Sequence, residues 1–139
     1  NDTESRSSPV QVGALTTWSQ VSAGYSHTAA VKTDGTLWTW GLGGNGRLGH
    51  DNIITLSSPV QVGALTTWSQ VSAGSNGIAA VKTDGTLWTW GNDGSGRLGL
   101  NQPDTDMSSP VQVGALTTWW KASAGGAHTA AINEARTGM

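Results

Sequence analysis

At 139 residues and 36% hydrophobic composition, the chain has the size of one domain and can build a core if it closes on itself. Only 12% of its residues are charged and the formal net charge is −2, which leaves out the electrostatic footprint of nucleic-acid or anionic-membrane binding; neither is expected as a partner. Without cysteine there is no disulfide framework and no thiolate metal site, and no apolar run approaches the roughly 18 residues of a membrane span.

Asn1 to Ser8 reads as a polar linker that contains the sequon Asn1-Asp2-Thr3. Pro9 is expected to open a short edge-like strand, Val10-Gln11-Val12, because a proline in a strand's first position costs no ladder bond. Gly13 to Thr17 is a loop. Trp18 to Gly24 reads as the next strand, with Trp18, Gln20 and Ser22 on one face and Ser19, Val21 and Ala23 on the other. His27 to Lys32 and Leu37 to Trp40 flank Thr33-Asp34-Gly35-Thr36, and an Asp-Gly pair between two β-rich runs predicts a hairpin. Neither hairpin strand alternates cleanly between apolar and polar, so both are expected to be covered on their two faces. A glycine-rich connection, Gly41 to Gly49, leads to a variable linker.

The block Ser7 to Gly41 returns almost letter for letter at Ser57 to Gly91 and, cut short, from Ser108. Self-similarity at a period of about 50 residues is the signature of a propeller or solenoid. Three units follow, residues 1–56, 57–107 and 108–139. The third ends in Ile132 to Met139 and lacks the Asp-Gly turn, the Leu-Trp-Thr-Trp strand and the Gly-Arg-Leu-Gly of the others. Asn1 matches a mid-repeat linker position, so the sequence reads as starting where a preceding blade would end. An excerpt of a longer closed propeller, or a subunit whose ends further copies or blades cover, is expected.

Comparison between copies decides most candidate chemistry. Gly41-x-Gly43-x-x-Gly46 spells a dinucleotide fingerprint, but no helix is expected after it, and Asp93 breaks the string in the second copy. His27 and His128 share a repeat position that holds Gly77 in the second copy, and no position supplies a partner acid or nucleophile; a structural histidine is expected. Asp104 and Asp106, near Asn101, lack the ligand ladder of a calcium loop and read as solvated linker. Tryptophans recurring at Trp18, Trp38 and Trp40 read as core, with the doubled Trp119-Trp120 as the candidate for exposure. No catalytic, cofactor-binding or metal-ligating residue is assigned. The copies differ at Tyr25, Ser26, His27, Leu42 and Asn45 of the first, at Ser75, Asn76, Asn92 and Asp93 of the second, and at Trp120 and His128 of the third, on a frame that hardly changes. These residues form the candidate interaction surface.

The order Trp-x-x-Val-Ser-Ala-Gly, His-Thr-Ala-Ala-Val-Lys-x-Asp-Gly-Thr-Leu-Trp-x-Trp-Gly, then Gly-Arg-Leu-Gly, resembles the regulator-of-chromosome-condensation repeat over nearly the whole chain. The resemblance implies an all-β fold, a partial propeller of nearly three four-stranded blades with about 10–11 antiparallel strands, belonging to a larger ring of about seven blades. It also implies architectural roles for Gly24, Gly41, Gly46, Gly49, Gly74, Gly91, Gly96 and Gly99. Family activities span guanine-nucleotide exchange on a small nuclear GTPase, ultraviolet-B sensing, β-lactamase inhibition and scaffolding, among which fold does not choose. The photoreceptor type requires a Trp after Gly24, where Tyr25, Ser75 and Gly126 stand. The expected function is a non-catalytic scaffold that binds a protein partner, of bacterial-surface or virion type, extracellular rather than cytoplasmic. Carbohydrate recognition is the alternative, and GTPase exchange a remoter one.

Overall fold

The computed structural model describes residues 4–134; the sequon at Asn1 and the end of the third unit beyond Glu134 lie outside them. The described residues form ten strands: β1 (Trp18–Ala23), β2 (His27–Lys32), β3 (Leu37–Gly41), β4 (Leu56–Gln61), β5 (Trp68–Ala73), β6 (Gly77–Lys82), β7 (Leu87–Gly91), β8 (Met107–Gln112), β9 (Trp119–Ala124) and β10 (Thr129–Asn133). They build two four-stranded antiparallel sheets, ordered β1-β2-β3-β4 and β5-β6-β7-β8, and a two-stranded one of β9 and β10. The two four-stranded sheets are full propeller blades, and β9-β10 is the start of a third.

The blades are offset from the sequence units. Ser-Ser-Pro-Val-Gln of the second unit is β4 and pairs with β3 of the first, so the sheet edges do not fall at 56/57 or 107/108. This offset corrects the expectation for Pro9. Val10 to Val12 form no strand, because among the described residues no Leu-Trp-Thr-Trp strand precedes them to pair with. In the later copies the proline lies inside β4 and β8, at Pro59 and Pro110, on outermost strands. There the register slips between Thr39 and Gly41, or between Thr89 and Gly91, and the bulge tolerates the missing N–H.

The Asp-Gly hairpins form as expected. Asp34 Oδ1 accepts from the Thr36 amide (3.0 Å) and hydroxyl (2.6 Å), and the Thr36 oxygen accepts from Trp38 Nε1 at 2.8 Å. Asp84, Thr86 and Trp88 repeat the relay. These bonds favour the charged form and hold both carboxyls below the usual carboxylate range.

The predicted faces of the first strand need correcting. A bulge between Trp68 and Gln70 reverses the alternation, so Trp68 shares a face with Val71 and Ala73 and not with Gln70 and Ser72. In the second blade this face, with Ile78, Ala80 and Trp90, packs on Ala29, Val31 and Leu37 of the first. The opposite face, carrying Ala79, Val81 and Leu87, packs on Ala122 of the third. The middle blade is therefore covered on both sides.

Candidate interaction surface

Neighbouring blades are joined by the same few side chains at both junctions. Gln20 Oε1 accepts from the Val71 amide (3.2 Å) and Ser22 Oγ from the Ala73 amide (2.9 Å); one blade on, Gln70 Oε1 accepts from Ala122 (2.8 Å) and Ser72 Oγ from Ala124 (3.0 Å). Innermost strands would otherwise bury unpaired amides, at roughly 1–3 kcal/mol each. Backbone bonds pin the two ends of each junction: Tyr25 N donates to Gly74 O and Ser75 N to Gly125 O, while Trp68 N donates to Gly35 O and Trp119 N to Gly85 O.

His27 lies within this joinery. It is buried, and its Nε2–H donates to the carbonyl of Gly77, the matching position of the next blade, at 3.2 Å. Burial, with Arg47 nearby, lowers its pKa and keeps the ring neutral. His128 is exposed, with no further blade among the described residues to receive it.

The connections at one end of the blades form a continuous surface. Leu42 N donates to Ser26 O, and Asn92 N to Asn76 O, so the loop after the first strand meets the loop after the third in each blade. Arg47 sends Nε to Gly44 O (2.8 Å), Nη2 to Asn45 Oδ1 (3.2 Å) and Nη1 across the junction to Ser75 O (3.5 Å). Arg97 repeats this with Gly94 O and Gly126 O. Asp106 ties the two blades together, accepting from Asn45 Nδ2 at Oδ2 (2.8 Å), and from Asn92 Nδ2 (2.9 Å) and the Asp93 amide (3.0 Å) at Oδ1. Among the described residues no group of three or more His, Cys, Asp or Glu gathers as a metal cluster would.

Of the candidate residues, Tyr25 (85% exposed), Ser26, Leu42, Asn45, Ser75, Asn76 and Asn92 reach or border this end face. Three depart from the expectation. His27 is enclosed at the junction. Asp93 is 1% exposed and accepts from the Leu98 amide at 3.0 Å, so it braces its own loop and offers nothing to a partner. Trp120 is 55% exposed but sits beside the bulge that opens β9, at the opposite end of that strand from Gly125. Arg47 and Arg97 are not among the sequence candidates, although recurrence at one repeat position marks them; Asp106 reads from the sequence as solvated linker, because its part in joining the loops depends on where the linker returns.

The tryptophans are mostly covered. Lys32 Nζ stands 3.9 Å from the Trp38 centroid and 5.2 Å from that of Trp18, and Lys82 repeats this at 3.8 and 5.0 Å over Trp88 and Trp68. Burial lowers the Lys82 pKa, and Asp84 partly opposes that shift. Ring faces that stack a cation in this way are taken as stacking platforms.

No α-helix follows the glycine string; a single 3-10 turn, Gly44–Gly46, ends it, which removes the dinucleotide reading. Stacked four-stranded antiparallel blades joined through their innermost strands define a β-propeller, here an open arc of one. Two family models, both described as Regulator of chromosome condensation (RCC1) repeat, match the chain, one at residues 34–81 and 84–132 and the other at 18–47 and 68–97. The chain belongs to this family. Among similar solved structures, human WBSCR16 is 26% identical with a TM-score of 0.74, over 84% of this chain and 30% of that one. Prp20p of Saccharomyces cerevisiae, in a study of its binding to Gsp1p and histones, is 17% identical at 0.74, over 89% and 33%. Yeast RCC1 (Prp20) with bound Kap60 is 18% identical at 0.75, over 91% and 32%. The chain spans about a third of the length of these propellers.

Proposed function

We propose that the chain is a non-catalytic propeller scaffold that binds a protein partner through the end face carrying Tyr25, Ser26, Leu42, Asn45, Ser75, Asn76 and Asn92, in an assembly of the bacterial-surface or virion type. One observation carries the reading: the copies differ at exposed positions of this face, Tyr25 above all, while the bonds that hold its backbone are the same at both junctions. A large amphipathic side chain on a fixed backbone gives contact area at little entropic cost. The partners of the yeast relative, Gsp1p, histones and Kap60, are proteins, which agrees with this class of ligand.

The test is a photo-crosslinking amino acid at position 25, with position 120 as control. Protein adducts from 25 alone support the reading. Equal yields from both positions, or none from 25, contradict it. Two parallel assays address the other readings: no acceleration of nucleotide release from Gsp1p is expected, and no glycan-array binding, since Trp120 is the one strongly exposed tryptophan among the described residues.

A further inference from the structure

An apolar cleft with one cation in its wall recurs in both four-stranded blades. In the second blade, Val62, Leu65, Trp68, Trp88 and Pro110 surround Lys82 in a space of about 280 Å³; in the first, Val12, Leu15, Trp18, Trp38 and Pro59 surround Lys32 in about 210 Å³. Both clefts lie at the hairpin end, where β1 and β5 begin and β2 and β6 end, away from Tyr25. A missing neighbour does not open them. The first cleft has a four-stranded blade after it, and no residue of that blade enters its wall; the second has a four-stranded blade before it and is open all the same. Lys82 is buried, with Nζ 3.8 Å from the Trp88 centroid and 5.0 Å from that of Trp68. Among the described residues no carboxylate lies within ion-pair distance of Lys32 or Lys82; Asp84 is turned instead to the amide and hydroxyl of Thr86. A desolvated ammonium held by ring faces alone is under-compensated, and an anion in the same cleft supplies what is missing. One positive charge, with Asp84 close behind it in the chain, matches a single negative charge, a carboxylate and not a phosphate.

We propose that each cleft binds a small free carboxylic acid with an apolar body about the size of one aromatic ring, the carboxylate on the lysine ammonium and the body against the leucine and proline. The volumes suit a ligand of this size and leave no room for a larger one. Lys82 is buried where Lys32 is half-buried, so the second blade holds the tighter site. The third unit has Asn133 opposite Trp119 where the others have a lysine, and it takes no such ligand. This inference goes beyond the scaffold reading and shares no residue with the end face, so each can fail alone.

The probe is para-fluorophenylacetate, titrated with the full chain and followed by fluorine NMR. Saturable binding at two sites per chain is expected, weakened about tenfold or more for the neutral amide of the same acid. Lys82→Met, which keeps the stem and removes the charge, takes away the tighter site, Lys32→Met takes away the weaker one, and Tyr25→Ala leaves both. Should Lys82→Met fail to fold, Leu65→Trp, at an exposed position of the wall, closes the second cleft without touching the lysine and removes the same site. No saturable binding, equal affinity for acid and amide, or a tighter site that survives both Lys82→Met and Leu65→Trp overturns the proposal. So does binding about tenfold tighter for a short peptide ending in phenylalanine than for the probe, which would give the cleft to a polypeptide terminus.

Discussion

His27 shows how a residue that looks chemical can be architectural. Its ring donates into the next blade, so His27→Ala leaves the Gly77 carbonyl without that donor and should cost about 1–2 kcal/mol in denaturant unfolding. Its pH dependence has a definite sign. Burial lowers the folded pKa, so the unfolded chain takes up a proton first as pH falls below about 6.5. Stability is therefore full above that pH and declines below it, with His50, also lowered by burial, contributing in the same direction. Thermal melts should shift down between pH 7 and 5, and His27→Asn should flatten part of that slope; an unchanged slope contradicts the assignment. Asp34 and Asp84 act lower, since their depressed pKa values keep the hairpin relays intact until pH falls below about 4. Sequence comparison read the histidine as structural but placed Asp93 on the surface, and the reason is local. Asp93 matches Gly43, where the carbonyl of Ile54 comes too close for any Cβ. The second linker runs differently, so the difference between copies at this position is compensation inside a loop.

At the scale of the element, strand existence was legible because Asp-Gly turns and repeated β-rich runs are local signals, whereas strand partnership was not. β4 pairs across a linker with the preceding unit, and the bulge that turns Trp68 onto the Val71 face is set by its pairing with β6. The joinery of innermost strands gives a sharp prediction. The third unit carries Lys121 where Gln20 and Gln70 stand, and an ammonium has no acceptor for a neighbouring amide. Gln70→Lys should therefore destabilise by roughly 1–3 kcal/mol by stranding the Ala122 amide, while Lys121→Gln, on a strand with no further blade beside it among the described residues, should be neutral in this chain. Equal effects would mean that these side chains do not carry the junction. Trp90→Ala should cost about 3–5 kcal/mol through the cavity it leaves at the first junction.

Across the whole molecule, the same side chain meets different surroundings from copy to copy. Val21 is 70% exposed where its counterpart Val71 is 4%, because no blade stands before the first among the described residues. Val71→Ala should lower stability by about 1–3 kcal/mol and Val21→Ala by almost nothing. Propeller class and blade count were legible because the pattern is periodic, and so were the positions at which the copies vary. What the periodic pattern hid was which varying positions face solvent, a matter of neighbouring linkers. The central claim is that specificity sits on this face and stability beneath it. The most direct measurement is partner capture by the loop-exchange variant Tyr25→Ser/Ser26→Asn, which gives the first blade the second blade's loop. The account predicts an unchanged melting temperature with the partner lost; a retained partner would contradict it.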